Sequence, residues 1–291
     1  MAGRRTLPAL VLALAALASF GPLAATEGPA RAQGHLLLIG GGSRPPEVME
    51  KFVTLSGGAA APILVVPSAS EEADTGDFYR ALFAKDHGCT NVTSLEVRSP
   101  ADGARTDLVA LAEKAGGIFF AGGDQRRITK ALLGTPVGAA LERAWRRGAA
   151  VAGTSAGTAC MSPLMMTGDG DFTVFREKAV ELWPGLGFLP GTILDQHFVA
   201  RGRMNRLFSA VLEHPDLLGI GIDEGTAIWV RPGGTFEVMG AGWVVVVDAR
   251  EVAVTRRSAG KSTNLGARDL RVHILQKGDT FPLTDSSRTT R

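Results

Sequence analysis

Four short apolar runs, each stopped by glycine or small polar residues, set the strongest limit on how this chain folds. They are His35-Leu36-Leu37-Leu38-Ile39 before Gly40-Gly41-Gly42, and Pro62-Ile63-Leu64-Val65-Val66 before Pro67-Ser68. Then come Gly117-Ile118-Phe119-Phe120 before Gly122-Gly123-Asp124-Gln125, and Gly148-Ala149-Ala150-Val151-Ala152 before Gly153-Thr154-Ser155. Each is too short for a helix and shows no polar alternation, so each reads as a strand buried on both faces. Helical stretches lie between them at residues 77–86, 107–115 and 137–147, the last with Leu141 and Trp145 four apart. Strand and helix alternate, which predicts an α/β fold with a mainly parallel sheet and helices on both faces, flavodoxin-like in outline. Residues 92–95 supply a further strand.

Beyond Ser155 the pattern changes. Residues 161–190 are rich in Gly, Met and Pro and read as irregular, while 205–213 read as a helix. Residues 192–194 read as a strand, and 218–222, 226–230, 235–239 and 243–247, with Pro232-Gly233-Gly234 as a turn, read as the strands of a C-terminal β meander. The chain after residue 255 is polar and ends in Ser, Thr and Arg. No repeat or linker is visible, so one domain at 33–255 with a polar C-terminal extension at 256–291, partly disordered, is expected.

The first 32 residues read as an export signal. Arg4 and Arg5 precede an apolar run over 7–25, and Ala30-Arg31-Ala32 offers a small-x-small cleavage site. A transmembrane anchor is the competing reading, but Gly21-Pro22 breaks the run. The expectation is a secreted or periplasmic protein, not held in a membrane once the signal is removed. Net charge is +2 with 21% charged residues, which gives no field for nucleic acid. The five histidines are scattered and no CxxC occurs, so neither a metal nor a cofactor is expected. Cys89 and Cys160 read as core thiols, although an exported protein permits their pairing.

In an open parallel sheet, sites form at the carboxyl ends of strands. The Gly40 turn, Pro67-Ser68, Gly122-Gly123 and Ser155 all fall there and should converge on one crevice. Gly153-Thr154-Ser155-Ala156-Gly157, after a strand and before a helix, has the form of a nucleophile elbow. Its tight turn lifts the serine hydroxyl out of the sheet and sets the Ala156 N–H at a helix start, where it can hold an oxyanion. A structural turn or a phosphate loop is the plainer alternative. Serine needs a base, and His197, after the strand at 192–194, is the best-placed histidine, with a core or capping histidine the equal alternative. Glu224, at the end of the run at 218–222, suits the orienting acid; Asp169 and Asp171 are rivals. Arg201, Arg203 and Arg206 follow His197 closely and point to an acidic group on the substrate, or to a solvated helix face.

These segments resemble the cyanophycinases, which stand with the aspartyl dipeptidases (peptidase E) in one serine peptidase family. The resemblance rests on Ile39-Gly40-Gly41-Gly42, Phe120-Ala121-Gly122-Gly123-Asp124-Gln125, the Ser155 turn, Pro184-Gly185-Leu186-Gly187-Phe188, Asp195-Gln196-His197-Phe198 with its trailing arginines, and Gly221-Ile222-Asp223-Glu224. It spans about residues 35 to 250. It implies a fold related to the class I glutamine amidotransferases, with serine in place of their cysteine. It implies a Ser155, His197, Glu224 triad and an oxyanion hole from backbone at Gly122, Gly123 and Ala156. It also implies substrate contacts from Gln125, Asp195, Gln196, Arg201, Arg203 and Arg206, with Asp195 facing a guanidinium. The implied substrate is cyanophycin, a poly-aspartate bearing arginine on each β-carboxyl, released as β-Asp-Arg dipeptides. Asp-containing dipeptides are the alternative peptide substrate, and a non-catalytic binding protein is the alternative of another class. An export signal departs from the intracellular members of that family. A homodimer is compatible with the sequence, which does not fix the oligomeric state.

Overall fold

The computed structural model describes residues 34–283; the export signal read at 1–32 lies outside the described residues. In chain order the elements are β1 (Leu36–Ile39), α1 (Pro46–Leu55), β2 (Ile63–Val66), α2 (Thr75–His87), β3 (Val92–Ser94), α3 (Pro100–Gly103), α4 (Thr106–Glu113) and β4 (Gly117–Phe120). Then come α5 (Gln125–Leu132), α6 (Pro136–Arg146), β5 (Ala150–Thr154), α7 (Ala156–Ala159), β6 (Leu164–Gly170), β7 (Val180–Pro184), β8 (Thr192–Gln196) and α8 (Met204–Glu213). The chain continues through β9 (Leu218–Ile222), β10 (Thr226–Arg231), β11 (Thr235–Gly240), β12 (Val244–Asp248), β13 (Thr255–Ala259), β14 (Ser262–Gly266), β15 (Arg271–Leu275) and β16 (Thr280–Pro282).

The main sheet has eight strands in the order β16-β11-β10-β1-β5-β4-β2-β3. Its β1, β5, β4, β2 and β3 run parallel, and β10, β11 and β16 extend it antiparallel. The four apolar runs are β1, β2, β4 and β5, and the residues of these strands are buried throughout. Successive residues feed opposite faces, as strand geometry requires. Leu37, Ile39, Ile63, Val65 and Phe119 join Val48, Met49 and Phe52 of α1 and Tyr79 and Phe83 of α2. Leu36, Leu38, Leu64, Val66, Ile118 and Phe120 face the other way, with α5 to α7 and a second sheet.

That second sheet runs β15-β12-β9-β8, with β8 and β9 parallel. Its Leu194, Ile220, Ile222, Val244 and Val246 pack toward the main sheet. Ile193, Val245 and Val247 on its outer face meet Leu207, Ala210 and Val211 of α8. The C-terminal antiparallel strands are therefore present, but they divide between two sheets instead of forming one meander.

Local sequence explains the helix starts. Thr135 accepts a hydrogen bond from the Gly138 N–H at 3.2 Å, with Pro136 opening α6, and Asp124 accepts from the Arg126 N–H at 2.8 Å to cap α5. Gly88, at φ 64°, closes α2 in the left-handed region. Two further expectations differ from the structure. Residues 161–190 are only partly irregular, because β6 and β7 pair as an antiparallel hairpin with a bulge between Met166 and Gly170. The polar stretch beyond 255 carries strands up to residue 282: β13 and β14 pair with each other, β15 joins β12, and β16 joins β11. No helix among the described residues is long and apolar enough to cross a membrane.

Candidate active site

The carboxyl end of β5 delivers Ser155 with φ 52° and ψ −112°, at the cap of α7. A positive φ on a serine is strained backbone that the surroundings must enforce. They do so by close approach. A Cβ at Gly153 would lie 2.2 Å from the Gly157 carbonyl oxygen, and one at Gly157 would lie 2.3 Å from that of Phe120. The turn is also bonded to the neighbouring strand. The Ser155 N–H donates to the Ile39 carbonyl at 3.0 Å, and the buried Thr158 hydroxyl sits 2.7 Å from that oxygen and 2.8 Å from the Gly153 oxygen. The motif thus has its glycines because no side chain fits between β5, α7 and β4.

His197 arrives from the end of β8 in the second sheet, also with positive φ, at 51°. Its N–H donates to the Gly40 carbonyl at 2.8 Å. The imidazole lies against Gly41, where a Cβ would come within 2.2 Å of the His197 Cε1. Ser155 Oγ is 2.7 Å from His197 Nε2, and His197 Nδ1 is 2.5 Å from Glu224 Oε1. Glu224 follows β9 and touches the position a Gly42 Cβ would take, at 3.0 Å. The Gly40-Gly41-Gly42 turn is a trough for the imidazole–carboxylate pair.

The rivals for the acid are engaged elsewhere. Asp169 pairs with Arg126 at 2.8 Å, and Asp171 accepts from the Thr173 hydroxyl at 2.6 Å. Burial holds the His197 pKa below the usual imidazole range, with Arg201 and Arg203 pushing the same way and Glu224 opposing them. A neutral imidazole beside a hydroxyl is the state a general base needs. Gly122 lies beside the serine, its virtual Cβ 3.5 Å from Ser155 Cβ. Gly123, at φ 141°, is pressed against the Ala69 carbonyl. The Ala156 N–H opens α7 and, as a first-turn amide, has no intrahelical acceptor.

The residues expected to meet substrate separate into two groups. Asp195 is 0% exposed and Arg206 2%, and they are turned on each other: Arg206 Nε donates to Asp195 Oδ2 at 2.8 Å, and a second, shorter bond joins Nη2 to Oδ1. The expected substrate contacts from this pair are therefore corrected to an internal ion pair, since neither side chain reaches solvent and each carries the other's charge. Arg203 is largely buried, donates to the Gln196 carbonyl at 2.6 Å, and has its pKa lowered to about 10 by burial and by Arg206. Gln196 is buried, with its Oε1 3.5 Å from Arg206 Nη2. Gln125 is buried too, and its amide nitrogen donates to the Met166 and Thr167 carbonyls of β6, tying the hairpin to the site. Arg201 is the exposed member, with Nε 3.9 Å from Glu224 Oε1.

Sequence reasoning missed Thr158 and Asp223. Asp223 Oδ1 accepts from the Val199 and Ala200 N–H groups at 3.1 and 2.9 Å. The signal for Asp223 was its place between a buried strand and Glu224. Cys89 and Cys160 are free, buried thiols, and burial pushes the Cys160 thiol far up. No group of three or more His, Cys, Asp or Glu among the described residues could hold a metal ion.

A hydroxyl, an imidazole and a carboxylate in series, at the carboxyl edge of a mainly parallel sheet, is the arrangement of a serine-type hydrolase. The comparisons with known proteins narrow that class. The model of peptidase family S51 matches residues 36–238. A cyanophycinase of Synechococcus elongatus is 37% identical over 257 residues, covering 86% of this chain and 80% of the relative. One of a Nostoc species is 38% identical over 254 residues, covering 85% of each. Among solved structures, a peptidase from an acI-B1 actinobacterium superposes with a TM-score of 0.64 at 22% identity, over 87% of this chain and 98% of that one, which is a likeness of fold. The chain belongs to peptidase family S51 and is a serine-type peptidase.

Proposed function

We propose that this chain is an exported cyanophycinase: a serine exopeptidase that hydrolyses cyanophycin to β-Asp-Arg dipeptides through Ser155, His197 and Glu224. The observation that carries the reading is the Ser155–His197–Glu224 series, 2.7 and 2.5 Å link by link. Relatives named cyanophycinase, aligned over most of the chain, support the substrate.

In this mechanism Ser155 Oγ attacks the scissile carbonyl while His197 Nε2 takes its proton. The N–H groups of Gly122, Gly123 and Ala156 receive the oxyanion. His197 then protonates the leaving amine, and a water repeats the sequence in reverse to free the acyl group. Glu224 accepts from Nδ1–H and keeps the reactive tautomer facing the serine. Arg201, exposed at the rim, is the cation placed to read a substrate carboxylate. The Arg4–Arg5 start, the apolar run and Ala30-Arg31-Ala32 support export, which N-terminal sequencing of the mature protein checks.

The test offers purified protein insoluble cyanophycin and Asp-X dipeptides separately. Release of β-Asp-Arg from the polymer is expected, and cleavage of the dipeptides alone would overturn the substrate. Ser155→Ala should abolish turnover with the fold intact; unchanged turnover removes the nucleophile.

A further inference from the structure

We infer that Asp223 is a positioning residue for the base, acting on His197 through the backbone of the turn that follows it. The inference rests on the reading of His197 as base.

The turn carrying His197 has little regular structure of its own. It leaves β8 with a left-handed residue and reaches α8 only at Met204. The amides of Arg201, Gly202 and Arg203 bond back to carbonyls within the turn, while its first four amides are held from outside. His197 N–H bonds to Gly40, and Phe198 N–H to the Ile222 carbonyl at 3.3 Å. The next two amides, Val199 and Ala200, converge on a single oxygen, Oδ1 of Asp223. Asp223 is 7% exposed and its own N–H donates to the Trp243 carbonyl at 3.1 Å, so the carboxylate is anchored by β12's approach and aimed at the turn. Among the described residues no Lys, Arg or His makes an ion pair with it. Its partners are the two amides.

The next residue is Glu224. One short segment thus holds the imidazole twice: Glu224 grips the ring at Nδ1, and Asp223 grips the turn from which the ring projects. The ring has only 2.7 Å to Ser155 on its other side. A shift of about 1 Å in a catalytic group costs on the order of 100-fold. Loss of Asp223 should therefore slow proton transfer without touching substrate.

The test measures serine labelling by a small fluorophosphonate, kcat and KM on the processed peptide, and thermal melting, for wild type, Asp223→Ala and Asp223→Asn. Labelling needs only an activated serine, so it is independent of the true substrate, and unlabelled Ser155→Ala is the control for the triad itself. Asn keeps an oxygen acceptor at the Oδ1 position. The expected result is a fall of about 10- to 100-fold in labelling rate and kcat for Asp223→Ala, an unchanged KM, and recovery to within about 3-fold in Asp223→Asn. Labelling of Asp223→Ala within 2-fold of wild type overturns the inference, as does equal loss in both variants, since a charge effect on His197 would not be rescued. Should Asp223→Ala fail to fold, Asp223→Asn alone decides: a 100-fold loss with unchanged melting overturns it.

Discussion

Replacing Arg206 with alanine separates a strut from a substrate contact. The side chains of Arg206 and Asp195 are 2% and 0% exposed, so no solvent screens the carboxylate once its partner is gone. Breaking a buried pair by removing one partner costs about 3–5 kcal/mol. Two features place this case at the lower end. The Gln196 N–H still donates to Asp195 Oδ1 at 2.8 Å, and Arg203 Nη1 lies 3.8 Å from the same oxygen. A loss of about 3 kcal/mol corresponds to a fall of roughly 6–12 °C in Tm for a domain of this size. Activity should fall as well, because Asp195 stands two residues before His197. The double variant Asp195→Leu/Arg206→Met removes both charges and should recover most of the lost stability, as apolar replacement of buried pairs does. Scanning calorimetry with initial-rate kinetics distinguishes the outcomes. A Tm change under about 2 °C together with a raised KM would refute the internal-pair reasoning and return Arg206 to the substrate.

Two further outcomes are expected. The His197 pKa lies below 6.5 because the imidazole is buried and Arg201 and Arg203 disfavour its proton; the neutral base is therefore lost only as pH falls through that lowered value. The acidic limb of kcat/KM should lie below pH 6.5, and Arg201→Gln, by removing a cation, should move it to higher pH; a shift to lower pH contradicts the assignment. Gly41→Ala should abolish hydrolysis, since its φ of 117° disfavours a side chain and the new methyl would lie 2.2 Å from His197 Cε1; retention of more than a tenth of wild-type kcat would show that the trough does not seat the imidazole.

The three side chains that converge at the candidate site were legible because their signals are local. A glycine-flanked serine after an apolar strand announces its own turn, and His197 and Glu224 each follow a buried strand of the second sheet, β8 or β9. Arg206 was misread because spacing does not say which way a side chain turns. An arginine eleven residues from an aspartate reads the same whether the two face each other or a ligand. Helix α1 was overlooked although Pro46 opens it and Val48, Met49, Phe52 and Val53 make a helical face. The β6–β7 hairpin was hidden because its bulge and glycines break alternation. Strand β13 buries none of its residues, and a strand without an inner face leaves no pattern to read.

The division of strands between two sheets has a consequence for how the enzyme fails. Ser155 is anchored to the main sheet, His197 to the second, and the chain passes from one to the other through Asp223-Glu224-Gly225. Across that joint run the His197 N–H to Gly40 bond and the Gly225 N–H to Gly41 bond at 3.0 Å. If the proposed triad does the chemistry, catalytic competence reports on alignment between two sheets that are each hydrogen-bonded within themselves. With the proposed triad, a small slippage between them should part Ser155 from His197 while leaving every strand intact, so loss of activity is expected before melting when both are followed on one heating ramp, and the glycine trough where the sheets meet is where a stabilising change should lengthen working life.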